Sequence, residues 1–252
     1  MPAVFVGHGS PLNAIETNAF SLGWGEIGRM LPTPEVVLCV SAHWETLGTR
    51  VTAMQSPRTI HDFHGFPEEL FDVEYNAPGS PELARRITQI CHSSPVALDD
   101  EWGLDHGAWS VLRCMFPSAE IPVVQLSLDT KKSPAQHFAL GRELAPLREE
   151  GVLILGSGNI VHNLKLLNWQ GGAYDWAKEF DAKVATLIMA NDHRGILELL
   201  NRREEIREAI PTAEHFLPLL YCLAVQEPGE LVTFFAEQVI MGSLSMRSLY
   251  MY

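Results

Sequence analysis

The chain has 252 residues, of which 46% are hydrophobic and 19% charged, ordinary values for a folded globular protein with a sizeable core. Its formal net charge of −13 argues against a nucleic-acid partner or an anionic membrane surface, because both require a basic face. The four cysteines, Cys39, Cys91, Cys114 and Cys222, are widely spaced with no Cys-x-x-Cys pair. They read as buried thiols of a reduced, cytoplasmic protein, with no signal-like segment and no apolar run near the ~20 residues of a membrane span.

In chain order, residues 3–7 form a first apolar strand that runs into His8, whose flanking glycines allow a sharp turn and close backbone approach. Residues 21–31 read as weakly helical and stop at Pro32 and Pro34. Residues 35–44 are an apolar, β-branched run ending on His43-Trp44, the pattern of a strand buried on both faces. Residues 50–54 suggest another strand. Residues 59–67, with His61, Asp62 and His64, form a loop dense in histidine and aromatic residues, a composition commonly functional. Pro81 opens a helix to about Ile90 with Ser80 as N-cap. A short helix follows Asp105-His106-Gly107, and residues 121–128 read as a strand. Ser133-Pro134 starts a helix expected to reach about Glu150 and stop at Gly151.

Residues 152–156 form a third apolar run, which leads through Ser157-Gly158-Asn159 to His162. Trp176, Phe180, Val184 and Leu187 recur at helical spacing. Residues 194–209 read as an exposed helix. Thr212 is a candidate N-cap for a helix beginning at Ala213, with His215 in its first turn and Pro218 bending it. Residues 231–235 read as a late strand, and residues 241–252 alternate. Strands alternating with helices, without repeat or linker, predict a single α/β domain over residues 1–252, with a central, largely parallel or mixed sheet flanked by helices.

Three apolar strands thus each deliver a histidine at or beyond the carboxyl end: His8, His43 and His162. Open α/β sheets bind ligands in the crevice outside those ends, so neighbouring parallel strands would gather the three into a metal site. A metal takes three or four ligands, and His215 can contribute from a facing helix. His61 and His64 are candidate pocket residues, whereas His92, His137 and His193 read as helix-surface residues. Competing motifs are incomplete or missing. Gly156-Ser157-Gly158 lacks the third small residue of a dinucleotide loop, Val161 standing there, and there is no Gly-x-Ser-x-Gly elbow, Walker A lysine motif or His-Glu-x-x-His.

Six motifs carry a resemblance: Gly7-His8-Gly9-Ser10-Pro11, Ser41-Ala42-His43-Trp44, Thr59-Ile60-His61-Asp62-Phe63, Asp105-His106-Gly107-Ala108-Trp109, residues 156–163 and residues 214–220. As an ordered set over nearly the whole chain, the sequence resembles the DOPA-dioxygenase-type extradiol ring-cleaving enzymes, a branch of the superfamily that includes protocatechuate 4,5-dioxygenase. The resemblance implies metal-dependent opening of a DOPA-like or other small catechol by O2 to a muconic semialdehyde. It implies one divalent ion per chain held by His8, His43 and His215. His162 would be the catalytic base or a fourth ligand, and His106 a second active-site histidine. Trp44, His61 and Asp62, with Tyr75, are expected in the substrate pocket. The protocatechuate branch has a glutamate where this chain has His215. An all-imidazole site leaves the 2+ charge uncompensated and suits Zn(II) at least as well as Fe(II). A second reading is therefore a zinc hydrolase or a non-catalytic binding module of the same fold.

Overall fold

The three apolar runs that end near histidines are neighbouring parallel strands. The computed structural model describes residues 1–252, the side chain of Arg203 excepted. Strand β6 (Val152–Gly158) lies between β1 (Ala3–Gly7) and β2 (Val36–Thr46), parallel to both, with Val40 opposite Gly156 and Gly7 opposite Gly158. β5 (Val123–Asp129) continues the parallel centre beyond β2, with a register shift between Val40 and Glu45. On that side β3 (Thr49–Thr52) runs antiparallel to β5 and parallel to β4 (Val96–Asp99). On the other side β10 (Ser248–Met251) pairs antiparallel with β1 and with β7 (Val232–Phe235). The full order is β4-β3-β5-β2-β6-β1-β10-β7, and β8 (Val239–Ile240) and β9 (Leu244–Ser245) form a separate two-stranded ribbon. The sheet is mixed, with a parallel core.

Side chains alternate across the pleat, and helices cover both faces, which is why the central strands are apolar without interruption. Phe5, Leu38, Val40 and Ile154 enter one core; Val4, Val6, Val37, Cys39 and Leu155 enter the other. The first core is closed by α3 (Pro81–Ile90), α5 (Pro134–Glu143), α6 (Asp175–Met189), α7 (His193–Asn201) and α9 (Leu217–Ala224). The second is closed by α1 (Ala19–Met30), α4 (His106–Met115) and the segment around the short α2 (Glu68–Phe71). Ser80 caps α3, and Ser133 with Gln136 forms a capping box on α5. No helix among the described residues is long and apolar enough to cross a membrane.

Four expectations from the sequence are corrected. α5 stops at Glu143 and gives way to a 3-10 turn over Ala145–Arg148, because Pro146 disfavours helix at the residue before it and lacks an N–H. Residues 194–209 are not one exposed helix: α7 and α8 (Arg203–Ile206) bury Ile196, Leu199, Leu200 and Ile206. The helix expected from Ala213 begins at Leu217, where Pro218 is tolerated in the first turn, so His215 stands in the approach to α9. His137 is fully buried, its Nδ1 2.9 Å from the Tyr221 hydroxyl, not on a helix surface.

Candidate metal centre and active site

His8 leaves β1 immediately beyond Gly7, and its N–H donates to the Gly158 carbonyl at 3.0 Å, locking it beside the end of β6. His43 belongs to the part of β2 that runs on after its pairing with β6 has ended at Ser41. His215 is set by glycine. A Cβ on Gly158 would lie 2.1 Å from the His215 carbonyl, which instead accepts the Asn159 N–H at 2.7 Å. A Cβ on Gly156 would meet the Pro218 carbonyl at 2.6 Å, so the two glycines of β6 let the start of α9 approach the sheet.

The ring centroids of His8, His43 and His215 form a nearly equilateral triangle with sides of 5.1, 5.3 and 5.1 Å. One nitrogen from each lies within 4.8 Å of the others. Proton counting decides which nitrogen His8 presents. Ser157 Oγ donates to the Gly107 carbonyl at 2.5 Å, so at 2.9 Å it must accept from His8 Nδ1. His8 Nε2 is therefore a bare lone pair, and it faces His43 Nε2 at 3.2 Å. His43 Nδ1 lies 3.5 Å from Asp62 Oδ2, and His215 Nδ1 lies 3.1 Å from Glu214 Oε1, so each ring has an acceptor on its outer side. Backing of that kind fixes the tautomer and ring angle of metal-binding histidines. Two nitrogens about 2.1 Å from one ion lie roughly 3.0–3.4 Å apart, which the His8–His43 separation matches. The donor set fits a divalent cation.

Burial holds the His8 and His215 rings well below the ordinary histidine pKa, with the neighbouring imidazoles adding to the effect. His43 is pushed down to about 3, by burial first and His106 second, against the opposing charge of Asp62. At neutral pH the three rings are uncharged ligands rather than cations.

Two more histidines flank the trio. His162 stacks face to face on His215, with centroids 3.4 Å apart and planes inclined by 7°, and its backbone N–H donates to the Ala209 carbonyl at 3.0 Å. It stands outside the group formed by His8, His43 and His215, in a separate cluster with Glu214 and His215. Burial lowers its pKa to about 4. His106 is the first residue of α4 and lies 3.8 Å from His43, centroid to centroid. Its sequence neighbour Asp105 is the N-cap, accepting from the Ala108 N–H and tied to Ser41 and Gln125, so it does not hold the imidazole. Asp62 stands beside it instead: Oδ1 accepts the His106 backbone N–H at 2.9 Å and makes a 2.9 Å ion-pair contact with His106 Nδ1, which lacks hydrogen-bond alignment. Burial alone would raise the Asp62 carboxyl, but its contacts with His106 outweigh this and lower it.

These groups open into a cavity of about 580 Å³ whose wall includes Leu12, Phe20, Phe63, Phe66, Leu164 and Trp169. His8, His43, Asp62, His106, His162 and His215 all line it; Trp44 and His61 do not. Trp44 is buried and stacks on Trp102 at 5.6 Å. The His61 ring is turned away, with Nε2 2.9 Å from the Val73 carbonyl, and Tyr75 is buried with its hydroxyl donating to the Phe116 carbonyl. Sequence reasoning missed Ser157 and Glu214 as the partners of His8 and His215. The Gly-Ser-Gly turn and the Glu-His pair marked the places but not the contacts.

The parallel centre with a histidine cluster at its carboxyl end belongs to a known class of enzyme. Residues 13–244 match the family described as the catalytic LigB subunit of aromatic ring-opening dioxygenase, and the chain belongs to that family. It is an extradiol ring-opening dioxygenase, a metal-dependent enzyme taking a catecholic substrate and O2. Among its relatives, the 4,5-DOPA dioxygenase extradiol of Escherichia coli K12 is 47% identical over 253 residues, covering 98% of this chain and 93% of that protein. The Beta vulgaris protein of the same name is 39% identical, over 85% of this chain and 83% of its own length. The crystal structure of an uncharacterised Escherichia coli K12 protein superposes with a TM-score of 0.87 at 42% identity, over the whole of both chains.

Proposed function

We propose that the chain opens the ring of a DOPA-like catechol at one iron(II) ion held by His8, His43 and His215. The observation that carries this reading is the trio of uncharged imidazoles at the base of an aromatic-lined cavity, flanked by two further histidines in different environments. The names of the relatives from Escherichia coli and Beta vulgaris support DOPA as the first substrate to try. Residues 1–252 act as one catalytic domain, and four unpaired cysteines suit a reducing cytoplasm.

When bound, iron(II) supplies Lewis acidity toward the diol oxygens and an electron path to O2. His162, neutral at pH 7 because burial holds it near 4, accepts the proton of one substrate hydroxyl. His106, beside Asp62, donates a hydrogen bond or proton to the oxygen on which negative charge develops. Phe63 and Phe66 line the space for the ring and keep water from the reacting carbons. Overall, the carbon–carbon bond beside the diol breaks, both atoms of O2 enter the product, and a muconic semialdehyde results. An all-imidazole donor set also accepts Zn(II), which would leave the site redox-silent and favour a hydrolase or binding role.

The test is to replace His162 and His106 singly by alanine, and His8 separately, and to measure iron content and turnover of L-DOPA together. Loss of turnover with iron retained in the first two variants, and loss of iron in the third, supports the assignment. Iron lost on replacing His162 would make it a ligand, and the base would lie elsewhere.

A further inference from the structure

The wall of the catalytic cavity is charged in one sense. Among its described lining residues the carboxylates are Glu16 and Asp62, and there is no lysine or arginine. Asp62 is occupied by His106 and His43. The amides are occupied as well: Asn13 donates to the His8 carbonyl at 3.0 Å and accepts from Asn18 at 2.8 Å, while the Asn18 oxygen caps α1. Glu16 differs. It is exposed, its backbone N–H closes a turn on the Leu12 carbonyl at 2.9 Å, and its carboxylate has no hydrogen bond or ion pair among the described residues. Arg113, which approaches the same loop, donates to the Ala14 carbonyl at 3.2 Å and does not pair with Glu16. The same wall includes Trp169, 80% exposed, an indole that a bound molecule would cover.

We propose that Glu16, aided by Trp169, selects catechols whose side chain carries an ammonium group and disfavours those whose side chain ends in a carboxylate. The proposal rests on the catechol reading above. With the diol at the histidines, the ring substituent is the part left to meet the rest of the wall. A carboxylate there adds a like charge to Glu16 with no cation to offset it. An ammonium gains an ion pair, worth up to about fivefold in affinity at an exposed site. A cation over an exposed indole adds a similar factor. An amino-acid side chain carries both charges, so it falls between the amine and the acid.

The experiment measures binding to the zinc-loaded protein under argon, where the ring stays intact, by calorimetry at low salt. The probes are dopamine, 4-methylcatechol and 3,4-dihydroxyphenylacetate, which bear a cationic, a neutral and an anionic substituent. The expected order of affinity is cation, neutral, anion, with about tenfold or more between the ends. Glu16→Gln should shrink the ratio of dopamine to 3,4-dihydroxyphenylacetate affinity severalfold, Glu16→Lys should invert it, and Trp169→Leu should lower dopamine affinity relative to 4-methylcatechol. Equal binding of all three probes, or a wild-type ratio that persists in Glu16→Gln, overturns the proposal alone. If none of the three binds, the catechol reading itself fails and this proposal goes with it.

Discussion

Ser157 has a single hydroxyl proton and directs it to the Gly107 carbonyl, so His8 must donate from Nδ1 and leave Nε2 bare. Ser157→Ala removes that acceptor from a fully buried ring and frees its tautomer. Metal affinity, measured by competition with a chromogenic chelator, should fall about 10- to 100-fold, the usual cost of losing such a partner. Unchanged affinity would mean that His8 needs no backing. Asp62→Asn takes the carboxylate from His106 and His43 together. The expectation is a drop in kcat of about 10- to 100-fold on the iron-loaded enzyme, with a smaller change in KM. His8, His43 and His162 were legible in the sequence because each apolar run ends near one, whereas His106 and His215, set by α4 and the approach to α9, stood out through their motifs. Their partners were not: Ser157 meets His8 across 149 residues, and Asp62 meets His106 across 44. Trp44 and His61 were misplaced for a related reason. Position beside a functional residue does not say which way a side chain faces: Trp44 is buried against Trp102, and His61 packs against Phe63 and Trp109 with its Nε2 at the Val73 carbonyl.

Strand β6 and helix α9 determine whether the trio closes. Gly156 and Gly158 admit the Pro218 and His215 carbonyls to distances that no Cβ would allow, and through that contact His215 reaches the ends of β1 and β2. Gly158→Ala should destabilise the fold by about 1–3 kcal/mol, as overpacking does, and should also lower metal occupancy because His215 is pushed outward. Denaturant melts and metal analysis on the same sample check both effects; a destabilised protein with full occupancy would contradict the link. The parallel centre was readable at this scale, since uninterrupted apolar runs require cover on both faces. The start of α9 was not. Thr212 looked like a cap, but its hydroxyl goes to Glu214, and the helix waits until Pro218 can occupy its first turn.

Across the whole molecule the fold holds several histidines uncharged. His8, His43, His162 and His215 surround the site and His137 lies apart, and burial lowers all five below the ordinary value of 6.5. The unfolded chain takes up those protons as pH falls through 6.5, whereas the fold resists until about 4 at His162 and His137 and about 3 at His43. Stability of the metal-stripped protein is therefore complete above the unfolded pKa and should decline steadily from about pH 6.5 to pH 4. Urea midpoints across that range test this, and a flat profile would contradict it. Bound Zn(II) also favours neutral rings and should move the decline to lower pH. The central claim, that this histidine cluster opens catechol rings, is tested most directly by oxygen uptake. Metal-stripped protein is loaded anaerobically with Fe(II), given L-DOPA, protocatechuate or catechol, and followed for O2 consumption and visible absorbance. Equimolar O2 and catechol consumption with a yellow ring-opened product is the predicted result. No uptake with any catechol by protein carrying a full complement of iron would contradict the account.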